Sequence, residues 1–423
     1  MLRALAAVGA VLAAGLFLST PWPHGRVVQL PHGVIELHSE MVVESGSQVI
    51  GAASGSVLRA ARDFHGRALL VVRGDHVLLR DFAVDGNRAE LEVRAGLPGY
   101  DVSFAHFTQS NGVLAEGVSG LAIQGVTFRE IAGFAILVSR SKGVTINRVR
   151  VADSGSRNAA GRNNTTGGIL LEEGTSDFRV TRCEVRTVLG NGIWTHSLYA
   201  SPRNARGIFA ENRFDMIGRD ALQAGHATEM RIEGNVGTRI GYPEGAIDVE
   251  ARAIPVAVDT SGNVDRSLYA RNQFSGVNGK CFDLDGFHDG EVRDNVCVNV
   301  AGYGIVMNNT NPDMQSTHVR IEGNLLENVK YGGIFVIGTD NAIVRNRLLN
   351  LNMAHCGCPF TAGEPDMFSS GIYLGKGAER PAPARGNLVE GNEITGYQMA
   401  ERCIRGAPTI YPDWNTIGVN DCR

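Results

Sequence analysis

Two short acidic stretches, Asp248-Val249-Glu250 and Asp283-Leu284-Asp285, carry residue types suited to acid–base chemistry. Alternate residues of an extended strand share a face, so each stretch presents two carboxylates on one side. On adjacent strands, ~4.8 Å apart, the four acids would repel one another. An indifferent surface has no reason to carry that cost. Crowding raises the proton affinity of one member, which is what a general acid needs. His196, His226, Arg252 and His288 fall close by in the repeat described below. A surface or loop role competes for each histidine, and His288 is favoured because Asp285-Gly286-Phe287-His288-Asp289 brings it beside the acids.

Positioning those side chains requires a regular scaffold, and the chain is repetitive. Gly-Ile dipeptides recur at Gly168-Ile169, Gly192-Ile193, Gly304-Ile305, Gly333-Ile334 and Gly371-Ile372. Degenerate copies stand at Gly112-Val113, Ala135-Ile136, Ala221-Leu222, Ala246-Ile247, Cys281-Phe282 and Cys403-Ile404. A second marker is an asparagine inside an alternating apolar run: Asn212, Asn235, Asn272, Asn295, Asn324, Asn346 and Asn392. Their separations imply a unit near 22 residues with insertions, the last and longest being one coil with extended loops. Short alternating strands such as Val319-Arg320-Ile321 lie between Gly, Asn and Asp turns, without helical periodicity.

These Gly-Ile and "EGN/RDN/ARN" motifs resemble the right-handed parallel β-helix proteins of the pectate-lyase-like superfamily. The resemblance runs over roughly residues 70–420 and is one of fold. It implies an all-β, three-sheet parallel solenoid of about 11–12 coils, with the asparagines stacked in a hydrogen-bonded ladder and free of chemistry. We expect a signal peptide over 1–24, then one β-helix domain over 25–423, with a cap and opening coils in 25–85 and regular coils in 111–420. Long insertions at Arg88–Ser110, Arg157–Thr166, Ser197–Arg206, Ala251–Arg266 and Asn309–Thr317 adjoin the Gly-Ile strands and would wall a groove.

Aligning those strands gives two outward columns. The first reads Leu170, Trp194, Gln223, Asp248, Asp283, Val306, Phe335, Tyr373, Arg405; the second reads Glu172, His196, Gly225, Glu250, Asp285, Asn308, Ile337, Gly375. Asp283 and Asp248 are the principal catalytic candidates, with Asp285, Glu250 and His288 in support. Trp194, Phe335 and Tyr373, as exposed aromatics, would stack on sugar rings. His196, Gln223, His226, Arg252 and Asn308 complete the substrate-binding set.

Composition narrows the partners. With 53 Gly and 14 Pro in 423 residues, the chain stays under the ~25–30% of low-complexity disorder. A net charge of −4 offers no basic stripe for nucleic acid. Arg3 followed by the uncharged run Ala4–Leu18 and then Pro21 and Pro23 reads as an export signal, predicting a secreted or periplasmic protein with no later membrane span. Seven cysteines in an exported chain permit disulfides and leave one thiol over. Cys356-Gly-Cys358 is expected to staple a loop to Cys403 or Cys422.

Paired carboxylates suit a glycoside hydrolase without metal or cofactor. As the first alternative, the four carboxylates would hold Ca²⁺, and the resemblance to pectate lyases then implies a lyase or epimerase on uronates, with Lys280 or Arg252 as base; against it, no lysine falls in an outward column. The second is a noncatalytic glycan-binding adhesin. The N-T-D, D-D, G-H-G and R-I-K elements of polygalacturonases are absent, so their catalytic roles are not carried over. The oligomeric state and the sugar are left open.

Overall fold

The computed structural model describes residues 26–91, 101–157, 161–163, 165–246, 255–309, 316–377 and 380–423. It is a right-handed parallel β-helix. Strands pair almost entirely in parallel, each with its counterpart one coil away. One face is a sheet of fourteen short strands, from Val27–Gln29 through Arg179–Thr181 to Thr416–Ile417. That exceeds the 11–12 coils expected, because Val27–Asp85 is itself coiled: Val27–Gln29, Gln48–Ile50 and Leu78–Arg80 open the same sheet. The other two faces meet at the long strand Ser56–Val72, which pairs with both Ala83–Asp85 and Asn111–Glu116.

The core follows from period-2 alternation inside a closed coil. Every inward side chain is enclosed by the coils above and below, so the Gly-Ile strands stack like on like: Val113, Ile136, Ile169, Ile193 and Leu222 are register partners in turn. All are fully buried. At Gly168 and Gly192 an added Cβ would collide with a backbone carbonyl of the next coil, which is why the small residue comes first in this motif.

One turn is held by asparagines. Each Nδ2 donates to the next Oδ1 along Asn212, Asn235, Asn272, Asn295, Asn324, Asn346, Asn392 and Asn420, at 2.8–3.0 Å. Each backbone N–H of the series also donates to that next Oδ1. The longest sequence gap, from Asn346 to Asn392, is a single rung. A second ladder runs Asn341, Asn387, Asn415.

The disulfides differ from expectation. Cys356 pairs with Cys358 and Cys403 with Cys422, while Cys281–Cys297 crosses the coil interior and Cys183 is the buried free thiol. The two-residue loop closes on itself because its Cα atoms lie 5.1 Å apart, within disulfide reach. Among the described residues no helix is long and apolar enough to cross a membrane.

The ladder makes one energetic prediction. Asn295→Ala would strand the N–H and Nδ2 of Asn272 and the Tyr269 carbonyl at about 1–3 kcal/mol each. Denaturant titration should show a loss of about 3 kcal/mol or more.

Candidate functional site

The outward face of the Gly-Ile sheet changes character along the solenoid. Its first column runs, by strand register, Leu114, Leu137, Leu170, Trp194, Gln223, Asp259, Asp283, Val306, Phe335, Tyr373, Arg405. The position expected for Asp248 is therefore filled by Asp259. The strand of that coil is Val256–Asp265, so the stretch read as the insertion Ala251–Arg266 is largely strand, and Ala246-Ile247 is not the Gly-Ile copy. Ser261 pairs with Gly225 where Glu250 was expected. Asp248, Glu250 and Arg252 lie outside the described residues.

The column is covered at its start and again toward its far end, short of the exposed Arg405. The chain at Phe104–Phe107 folds over the outer face, where Phe104, Phe134, Leu137, Leu170 and Trp194 form a small second core. Trp194 does face outward, but only 5% of it is exposed, and Phe104 meets it edge-on at 5.3 Å. At the far end Phe335 and Tyr373 stack coil on coil, 6.0 Å apart, and are buried. An open aromatic floor is thus corrected to two sealed clusters, because inserted segments bury these rings. Asn308, in the second column beside Asp285, caps the Asn309 N–H.

Between the clusters lies a polar stretch. Asp259 and Asp283 are direct partners on adjacent coils. Gln223 Nε2 donates to Asp259 Oδ2 at 2.6 Å, and its Oε1 accepts from Asn191 at 2.7 Å. Lys280 Nζ donates to Asp283 Oδ2 at 2.5 Å. A lysine does reach the acids, from the strand start rather than from an outward column. Asp283 Oδ1 is buried without a hydrogen-bond partner. Asp220, at the strand's entry, accepts from the Val256 N–H and from Arg219.

Burial dominates the electrostatics. It pushes the Asp220 carboxyl up to about 6, opposed by Arg219 and reinforced by Asp283. Asp259 is driven well above the usual carboxylate range by burial and by the charges of Asp220 and Asp283. For Lys280, burial lowers its proton affinity, but Asp283 together with Asp259 and Asp220 outweighs that and holds it raised. The group therefore joins a carboxyl of raised proton affinity, Asp259, to an ion pair between Asp283 and Lys280.

A cleft of about 280 Å³ adjoins this group, lined among others by Trp194, His196, Tyr199, Arg219, Gln223 and His226. It sits near the lower limit of ligand-sized sites, ~300 Å³. Burial holds His196 at about 4 and lowers His226, so both rings are neutral at pH 7. Trp194 Nε1, His196 Nδ1 and His226 Nδ1 are sealed from solvent and unpartnered. His288 is not part of this group: past the bend at Gly286, φ +66°, it bonds Asp289 and Asn263. Asp285 stays on the strand end, half-buried. Asp220 and Asp259 escaped the sequence alignment, and Lys280 was weighed there only as a base for elimination.

Two measurements follow. Trp194→Ala should cost about 3–5 kcal/mol, as removal of a buried large aromatic does, rather than the near-neutral effect of an exposed ring. Asp220→Asn tests the electrostatics. A carboxyl raised to about 6 in the fold binds more protons there than unfolded, so its contribution is present at low pH and is lost as pH rises from ~4 through ~6. The stability of the wild type relative to Asp220→Asn, by denaturant titration, should fall across that window; a flat difference would show an unshifted Asp220.

Comparison with known proteins agrees with this architecture. The family described as "Right handed beta helix region" matches residues 100–254. No curated protein sequence matches the chain. Among solved structures, the GH136 lacto-N-biosidase of Eubacterium ramulus superposes with a TM-score of 0.55 at 11% identity, covering 85% of this chain and 68% of its own. The DFA-IIIase of Arthrobacter chlorophenolicus A6 gives 0.51 at 12%, covering 96% and 92%. The surface adhesin PfbA of Streptococcus pneumoniae gives 0.50 at 13%, covering 92% and 87%. At such identities the likeness is one of fold, and the chain is a right-handed parallel β-helix.

Proposed function

We propose that the protein is an exported carbohydrate-active enzyme that hydrolyses a glycosidic bond of a polysaccharide or glycoconjugate, with Asp259 as proton donor and Asp283 as its ionised partner. One observation carries the reading: two carboxylates face each other on adjacent coils, one raised and bonded to Gln223, the other paired with Lys280. A glycosidase needs one acid kept protonated and one kept charged, and burial with a single lysine divides the pair in that way.

The strand spacing of ~4.8 Å lies close to the ~5–5.5 Å carboxyl separation of retaining enzymes. Asp259 would give its proton to the glycosidic oxygen as the bond to the anomeric carbon breaks, while Asp283 forms an ester to that carbon. Water then displaces Asp283 and returns a proton to Asp259. The cleft sets the Trp194 ring, the neutral His226 ring and the Gln223 amide around a bound sugar. The two sugar-cleaving enzymes that share the fold support this class, while the adhesin among the neighbours marks the noncatalytic alternative.

Elimination is the less favoured chemistry, because its base must be unprotonated and Asp283 holds Lys280 protonated. Incubation with a polysaccharide panel, with and without a chelator, should release reducing ends without the absorbance of an unsaturated uronate. Asp259→Asn and Asp283→Asn should each lower turnover at least ~10²-fold while folding persists. Near-normal activity in either variant overturns the assignment; an unsaturated product replaces it with a lyase; binding without cleavage leaves the adhesin.

A further inference from the structure

One further group is not used by this chemistry. Glu172 ends the strand Gly167–Glu172, Glu173 follows it, and His196 ends the next strand, Asn191–His196. Glu172 and His196 are register partners. One ligand atom from each of the three lies within 4.8 Å of the others. Glu172 is fully buried and Glu173 only 4% exposed. Among the described residues neither carboxylate makes an ion pair. Their hydrogen bonds come from neutral donors: Glu172 accepts the N–H groups of Phe104 and Ala105 at 2.9 and 2.8 Å, and Glu173 accepts that of Leu198 at 2.9 Å.

Two adjoining buried carboxylates without a counter-cation are costly, since buried charges are ordinarily paired or bound to metal. The third member supplies an independent sign. His196 Nδ1 is sealed from solvent with no hydrogen-bond partner, so one ring nitrogen is left for a ligand the protein itself does not provide. Two carboxylates and a ring nitrogen converge at this place.

We propose that Glu172, Glu173 and His196 bind a divalent transition-metal ion, of which Zn²⁺ is the representative. Imidazole in the donor set favours such an ion over Ca²⁺, which takes oxygen ligands. Carboxylate oxygens and imidazole nitrogen bind zinc at ~2.0–2.2 Å, so a shift of about an ångström in the carboxylate rotamers closes the set. Three protein ligands leave a fourth position, as at zinc sites that keep water or substrate. His196 also lines the cleft beside Trp194, so that position is available to a water or a sugar hydroxyl there. Glu172 ties the ion to the chain at Phe104–Ala105, the segment that seals Trp194. The ion would act both as a clamp on this cover and as one wall of the cleft.

The test requires no substrate, so it stands apart from the hydrolase reading. Untagged full-length protein, stripped with chelator and dialysed, is titrated with ZnCl₂ by calorimetry, and with CoCl₂ while following tryptophan fluorescence. One saturable site per chain is expected, with Co²⁺ quenching Trp194 and Zn²⁺ raising the melting temperature; CaCl₂ at the same concentrations should do neither. His196→Ala and Glu173→Gln should each weaken Zn²⁺ binding by about 100-fold or more, as loss of one of three ligands exceeds the 10–100-fold of an outer-shell change. Asp283→Asn should bind as the wild type does. Should either ligand variant fail to fold, Trp194 quenching in the wild type still reports an ion at this place. Absence of a one-to-one site, or affinity and quenching that survive both ligand substitutions in folded protein, overturns the proposal.

Discussion

The fold depends on each coil presenting the same side chain at the same height as the coil before it. The asparagine ladder makes that demand strict. Each Oδ1 must accept both the backbone N–H and the Nδ2 of the preceding rung, so a coil displaced by one residue would leave three buried polar groups unpaired. A buried polar network is valuable only when it is fully satisfied. The loops between rungs can vary widely in length, from 22 residues at Asn324–Asn346 to 46 at Asn346–Asn392, because extra chain is looped outward while the rung itself is kept.

That rigidity is what allows crowded acids. Asp259 and Asp283 face each other because the inward neighbours Val258 and Phe282 are also register partners, and core packing fixes both strands. Repulsion cannot be relieved by moving one strand without opening the core beneath it. It is relieved instead through protonation and through Lys280, so the scaffold's stiffness is converted into altered proton affinities.

Much of this was legible in the sequence, and the failures have physical causes. Gly-Ile and asparagine markers reflect the coil interior, where like residues must stack, and they gave the fold and most of the outward column. The slip at Asp248 arose because Ala246-Ile247 imitates the strand motif as well as Ala257-Val258 does. A second constraint was available. In the other coils from Ile193 onward, the apolar marker precedes its asparagine by 12–20 residues, as Phe282 precedes Asn295 by 13; Val258 to Asn272 keeps this at 14, whereas Ile247 gives 25. The burial of Trp194, Phe335 and Tyr373 was not legible, because alternation tells which side of a sheet a residue faces and not what lies upon it.

The covered stretches of the column bear on function through their placement. Phe104 and its neighbours seal the outer face up to Trp194, and Phe335 with Tyr373 is sealed in turn, so the polar outward residues Gln223, Asp259 and Asp283 fall between two apolar blocks. An apolar cover on either side excludes water from the flanks of the acids and lowers the dielectric in which their charges interact. The same carboxylates on a bare sheet would be screened by solvent and would keep ordinary proton affinities. The insertion around Phe104 therefore has an electrostatic consequence as well as a packing one: by burying one flank of the outer face, it helps make a stack of aspartates into a pair with unequal protons.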